Sequence, residues 1–187
     1  MTMVSVRRVA EYEEQALDQA IAAHFETLQV AADLTPDTRV LIKPNLLAAR
    51  APSQAVCTHP ALVAAIARWL KKQGVKQIVL ADSPGGTYNL AVLEKLYAVS
   101  GMKELEGLVT LNRDVTYGAK NGFAILTPIL QADYIIDVGP DGGTAGGVAG
   151  LRRGRRGAAA EGRGGGGARL LRLHRPGPAP ARPHPPR

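Results

Sequence analysis

Two polar clusters carry the side chains best suited to chemistry: Lys43-Pro44-Asn45 and Asp82-Ser83-Pro84-Gly85-Gly86, with His59 between them. Lys43 supplies a cation that pairs with phosphate or carboxylate, and the Asn45 amide both donates and accepts hydrogen bonds. Asp82 is suited to orienting a hydroxyl or holding a metal, and Ser83 adds a hydroxyl. Gly85 and Gly86 allow the backbone to approach a ligand closely, and the start of the next helix would offer free N–H groups to an anion. The same residue types also build an ordinary strand-to-helix turn, and Lys43-Pro44-Asn45 also suits a solvated strand end. His59 fits two roles: a general acid/base or metal ligand, or a capping or packing residue at a helix start.

The elements around these clusters explain why they belong together. Val40-Leu41-Ile42 and Ile78-Val79-Leu80 are short, continuously apolar runs, as central parallel strands covered on both sides require. Each polar cluster follows one of them. Between the runs, Pro60 fits the first position of a helix whose inner stripe is Leu62, Val63, Ile66, Trp69 and Leu70, and Gly74 ends it. A strand, a long loop, a helix and a strand make one βαβ unit with its polar groups at the strand exits. In open α/β sheets the crevice beyond those exits is where ligands bind.

The pattern continues on either side. Residues 3–9 alternate as a first strand, and Leu17, Ile21, Phe25 and Leu28 mark a helix over residues 13–28. Residues 89–99 read as a helix ended by Gly101, and strands are expected over 108–111, 122–126 and 134–138 (YIIDV). Alternating strands and helices predict a parallel-sheet, three-layer α/β domain over residues 1–138.

At residue 139 the composition changes. Gly, Ala, Arg and Pro fill 39 of the 49 positions from 139 to 187 but only 40 of the first 138. Such a segment buries too little apolar surface to offset its ordering entropy, so it is expected to be disordered. It contains 10 Arg, no Lys and two acids, so the chain's net +7 resides entirely there. Out-of-frame reading of GC-rich DNA explains these residue types and the sudden loss of lysine, and would leave the sheet incomplete. The rival reading is an arm that binds nucleic acid through Arg152-Arg153-Gly154-Arg155-Arg156, although the segment has no aromatic residue for base stacking.

Several functions are set aside. Neither apolar run is followed by the dinucleotide fingerprint GxGxxG or the phosphate loop GxxxxGKS/T, and Ser83 lacks the GxSxG setting of a hydrolase nucleophile. No His/Asp/Glu set has metal-site spacing, so no metal is expected. The single cysteine, Cys57, permits no internal disulfide and no cysteine-ligated cluster within one chain. The first residues show no signal-peptide core, and no apolar run is long enough to span a membrane. A cytoplasmic protein without a membrane partner is expected.

The segments VLIKPNLL (Val40–Leu47), THPALVAAIARWLKKQG (Thr58–Gly74), IVLADSPGG (Ile78–Gly86) and ADYIIDV (Ala132–Val138), in this order and spacing, resemble the N-terminal half of the domain of unknown function 362 family. These are prokaryotic proteins, many with a ferredoxin-type 4Fe-4S module. The resemblance implies the fold, a site at the strand exits, and work in redox metabolism with a redox partner. It implies a 4Fe-4S cluster for full-length relatives and no cofactor in this chain, because the cysteine-rich module is missing. The Lys- and His-containing segment that follows the last strand in the family is also replaced, from Gly139 onward. A truncated family member binding a small anionic ligand through Lys43, Asn45, His59, Asp82, Ser83, Gly85 and Gly86 is therefore expected, with nucleic-acid binding by the tail as the alternative.

Overall fold

The computed structural model describes residues 3–84, 87–120, 123–139, 148–153 and 170–174. Four parallel strands form one side of its sheet, in the order β7 (Tyr134–Val138), β2 (Arg39–Pro44), β3 (Gln77–Leu80), β4 (Thr110–Leu111). This is the parallel α/β sheet expected from the alternating pattern. Beyond β7 the pairing becomes mixed. β9 (Leu170–His174) runs antiparallel to β7, β8 (Val148–Arg153) parallel to β9, and β1 (Met3–Arg8) antiparallel to β8. The expectation of disorder over 139–187 falls mostly outside the described residues; β8 and β9 are the extended parts within that range.

Three helices cover one face of the sheet. α1 (Glu14–Thr27) begins where the Glu13 carboxylate accepts from the backbone N–H groups of Gln15 and Ala16, at 3.0 and 2.7 Å, satisfying donors that a helix start leaves open. α2 (Pro60–Lys72) runs from the Pro60 start to Gly74, whose φ of +84° suits a residue without a side chain. α3 (Leu90–Val99) is capped by the Asn89 side chain, which accepts from Val92 N at 2.9 Å. Leu17, Ile21 and Phe25 of α1, Val63, Ile66 and Leu70 of α2, and Leu93, Leu96 and Tyr97 of α3 pack with Val40, Ile42, Ile78, Leu80, Tyr134, Ile136 and Val138 in one core. Phe25 meets Trp69 edge-on at 4.5 Å between ring centroids. Arg68 of α2 grips Asp18 of α1 through both Nε and Nη2 and reaches Glu14 at 3.2 Å.

The second face is covered sparsely. Side chains alternate along a strand, so Leu41 and Ile135 point away from the helix core. They join Ala81, Ala132 and Ile129 in a small separate cluster. Ile129 belongs to α4 (Thr127–Gln131), which follows the hairpin of β5 (Tyr117–Lys120) and β6 (Phe123–Leu126). The sequence pattern predicts β6 but misses β5, whose YGAK has no apolar alternation, and α4, which is only five residues long. Gly118 of β5 lies under the end of the Leu130 side chain. Helices on one face and α4 on the other give the three expected layers.

Candidate functional site

Lys43 is the centre of the polar groups at the strand exits. It lies near the end of β2, one residue past Ile42, and therefore faces the side opposite the large core. Its register partner on β7 is Asp137, and its Nζ lies 3.5 Å from Asp137 Oδ1 and 3.2 Å from Asp82 Oδ1. Asp82, just beyond β3, is 5% exposed; its other oxygen accepts from Leu46 N at 2.6 Å. Burial alone would lower the Lys43 pKa, but the charges of Asp82 and Asp137 outweigh it and hold the pKa above the ordinary lysine value. Lys43 is thus a fixed ammonium. Two of its directions are taken by carboxylates, while the side chain remains about one-third exposed, at 32%.

Asn45 contributes mainly its backbone. Its N–H donates to Val138 O at 3.1 Å and to Thr58 Oγ1 at 2.9 Å, and its carbonyl accepts from Thr58 N at 3.0 Å. Thr58 Oγ1 also donates to Val138 O at 2.8 Å. One buried hydroxyl thereby pins both ends of the long loop between β2 and α2 against the end of β7. The Asn45 side chain is half-buried and has no hydrogen bond among the described residues.

His59 makes no hydrogen bond or ion pair to Lys43 or Asp82 among the described residues. It is the N-cap of α2, where its Nδ1 accepts from Ala61 N at 3.2 Å. Its ring stacks on Tyr12 with centroids 3.8 Å apart. An accepting Nδ1 puts the proton of the neutral ring on Nε2. Burial lowers its pKa, favouring this neutral form. Of the two roles open from the sequence, the geometry corresponds to the cap. Ser83 is exposed, and Gly85 and Gly86 lie outside the described residues.

Two further residues contribute. A lone carboxylate inside YIIDV marks Asp137, whereas Thr58, just before the start of α2, carries no such mark. A third group closes the exit of β4. Asn112, 6% exposed, accepts from Asp114 N and donates to Asp114 O and Tyr88 Oη, while Tyr97 Oη donates to the Asn112 carbonyl at 2.9 Å. These bonds are internal, and burial raises the pKa of both tyrosines, so they serve as fixed neutral donors.

The donor set does not fit an iron–sulfur cluster. A 4Fe-4S cluster takes four thiolates, and the chain has one cysteine, Cys57, which is buried and donates to Ala48 O at 3.1 Å. Among the described residues no group of three or more His, Cys, Asp or Glu side chains could hold a metal ion. None of the described helices is long and apolar enough to cross a membrane.

A thylakoid-associated protein, sll1697, of Synechocystis sp. is 35% identical over 82 residues. The match covers 43% of this chain and 25% of that protein, so this chain spans about a quarter of the length of the relative. No solved structure matches. The model of the family described as "Domain of unknown function (DUF362)" matches residues 40–140, more than half of the chain and the stretch that contains Lys43, Asp82 and Asp137. The chain belongs to this family.

Proposed function

We propose that the strand exits bind a small ligand through an anionic group held on Lys43. The observation that carries this is the placement of one fixed ammonium at the exits of three adjacent parallel strands, partly exposed, with a buried carboxylate behind it. The electrostatics restrict the ligand. Lys43, Asp82 and Asp137 sum to −1, which disfavours a bare polyanion. A carboxylate with an ammonium or hydroxyl beside it suits the site better: its oxygen meets Lys43 and its donor meets Asp137, half-exposed at 41%. Ser83 would offer its hydroxyl beside the anion, with Asn45 offering its amide. His59 supports the site through the start of α2.

The test is calorimetric titration of the full chain with glycine, lactate and inorganic phosphate, repeated with Lys43→Met. Glycine or lactate should bind more tightly than phosphate, and Lys43→Met should abolish that binding. Equal binding by the variant, or no binding of any of the three to the wild type, would remove the site assignment.

The composition break supports a proposal about the tail. The family match stops at residue 140, one position after the change in residue types, as expected if the following text is out of frame. Resequencing the codons for 134–150 decides it: an indel restoring a Lys- and His-containing segment supports the reading, and a confirmed frame ends it. With a confirmed frame, the Arg-rich arm becomes the candidate for nucleic acid, and its binding should weaken steeply with salt.

A further inference from the structure

Strand register arranges the second face of the sheet in two rows. Thr110, Val79, Leu41 and Ile135 are successive partners across β4, β3, β2 and β7. Two residues further along, about 6.6 Å, Lys43 pairs with Asp137, and the backbone bonds Ala81 N to Ile42 O and Asn112 N to Leu80 O carry the same register to Ala81 and Asn112. A charged row therefore runs above a largely apolar one. Near the β3–β4 end lies a cavity of about 270 Å³, whose lining includes Leu41, Val79, Thr110, Asn112, Pro128 and Ala132.

We infer that this cavity takes the apolar body of the ligand whose charged head rests on Lys43, and that the ligand is a small α-amino or α-hydroxy acid with an apolar side chain. This rests on the reading of the Lys43 site given above. Head and cavity share one face, and Leu41, which lines the cavity, stands two residues before Lys43 on β2. Its floor is aliphatic, and its rim is polar: the Arg39 guanidinium donates to the Gln77 side-chain oxygen and the Gln131 carbonyl, Arg113 bonds Glu94 and Glu106, and Asp114 accepts from Thr116. An apolar group resting on the aliphatic floor strands no polar group there.

The experiment titrates the full chain with glycine, leucine, 2-hydroxy-4-methylpentanoate and 4-methylpentanoate, using wild type, Lys43→Met, Val79→Phe and Thr110→Phe. Leucine or its hydroxy analogue should bind at least about tenfold more tightly than glycine, and whichever is tighter identifies the donor beside the carboxylate. Val79→Phe should erase that advantage while leaving glycine binding unchanged. Thr110→Phe, at an exposed rim position, gives the same readout if Val79→Phe does not fold. Glycine binding equal to leucine binding, or leucine binding unchanged in both cavity variants, would overturn the cavity assignment while leaving the Lys43 site intact. Binding indifferent to Lys43→Met would overturn the site and this inference with it.

Discussion

The two faces of the sheet are built on different terms. One carries α1, α2 and α3 over a continuous core in which Ile21, Phe25, Val40, Ile42, Ile66 and Leu80 are fully buried. The other carries a short helix and a hairpin over five apolar side chains, and Lys43, Asp82 and Asp137 gather at its edge. Dense packing stabilises the first face. The thin cover of the second leaves a cavity and a partly exposed cation. In this family member the fold is held from one side, and the proposed ligand site lies on the other.

Substitutions on the two faces should therefore differ in kind. The largest loss of stability is expected from Phe25→Ala, which removes a fully buried ring packed on Trp69 and should cost about 4 kcal/mol in denaturant unfolding, with the strand exits unchanged. Lys43→Met comes next, because it leaves the Asp82 carboxylate buried without its cation. A fully buried pair would lose about 3–5 kcal/mol on such a change, and the partial exposure of Lys43 reduces this to about 2 kcal/mol. Only this second variant should also lose ligand binding. If Phe25→Ala weakens binding as strongly at a temperature where it stays folded, the separation of the faces fails. Ile129→Ala, on the thin cover, should cost only about 1 kcal/mol.

Smaller effects follow from protonation. The folded-state pKa of His59 lies below its ordinary value, so its contribution is complete above about pH 6.5 and is lost as the pH falls through the interval between the two values. Protonation places a hydrogen on Nδ1 and breaks the α2 cap. Thermal midpoints of wild type should therefore fall more between pH 7 and pH 5 than those of His59→Asn, which keeps an acceptor at the cap; identical slopes would count against the tautomer deduced from the Ala61 bond. For Lys43 the direction is reversed. Its raised pKa gives a contribution complete below about pH 10.4 and lost as the pH climbs through the folded value, which the Lys43→Met protein should not show.

Much of the helix-covered face was legible in the sequence because its signals are local. Pro60 and Gly74 bracket α2, and Leu17, Ile21, Phe25 and Leu28 lie on one side of α1 by spacing alone. Lys43 and Asp82 were also legible, as polar residues directly after apolar runs. The rest depends on register. Nothing near Asp137 indicates that it stands opposite Lys43, since that pairing joins residues from distant parts of the chain through the β2–β7 ladder. The cavity likewise needs the β3–β4 register and the placement of α4. The tautomer of His59 follows only from the Ala61 bond, which a sequence does not display.

Methyl NMR offers the most direct test that the second face is the ligand face. The full chain, labelled at Ile, Leu and Val methyls, would be titrated with leucine. Shifts concentrated at Leu41, Val79 and Ile135, absent from Ile21, Val63 and Leu70 and abolished by Lys43→Met, are the expected result. Shifts centred on the helix-face methyls, or the same shifts in Lys43→Met, would contradict it.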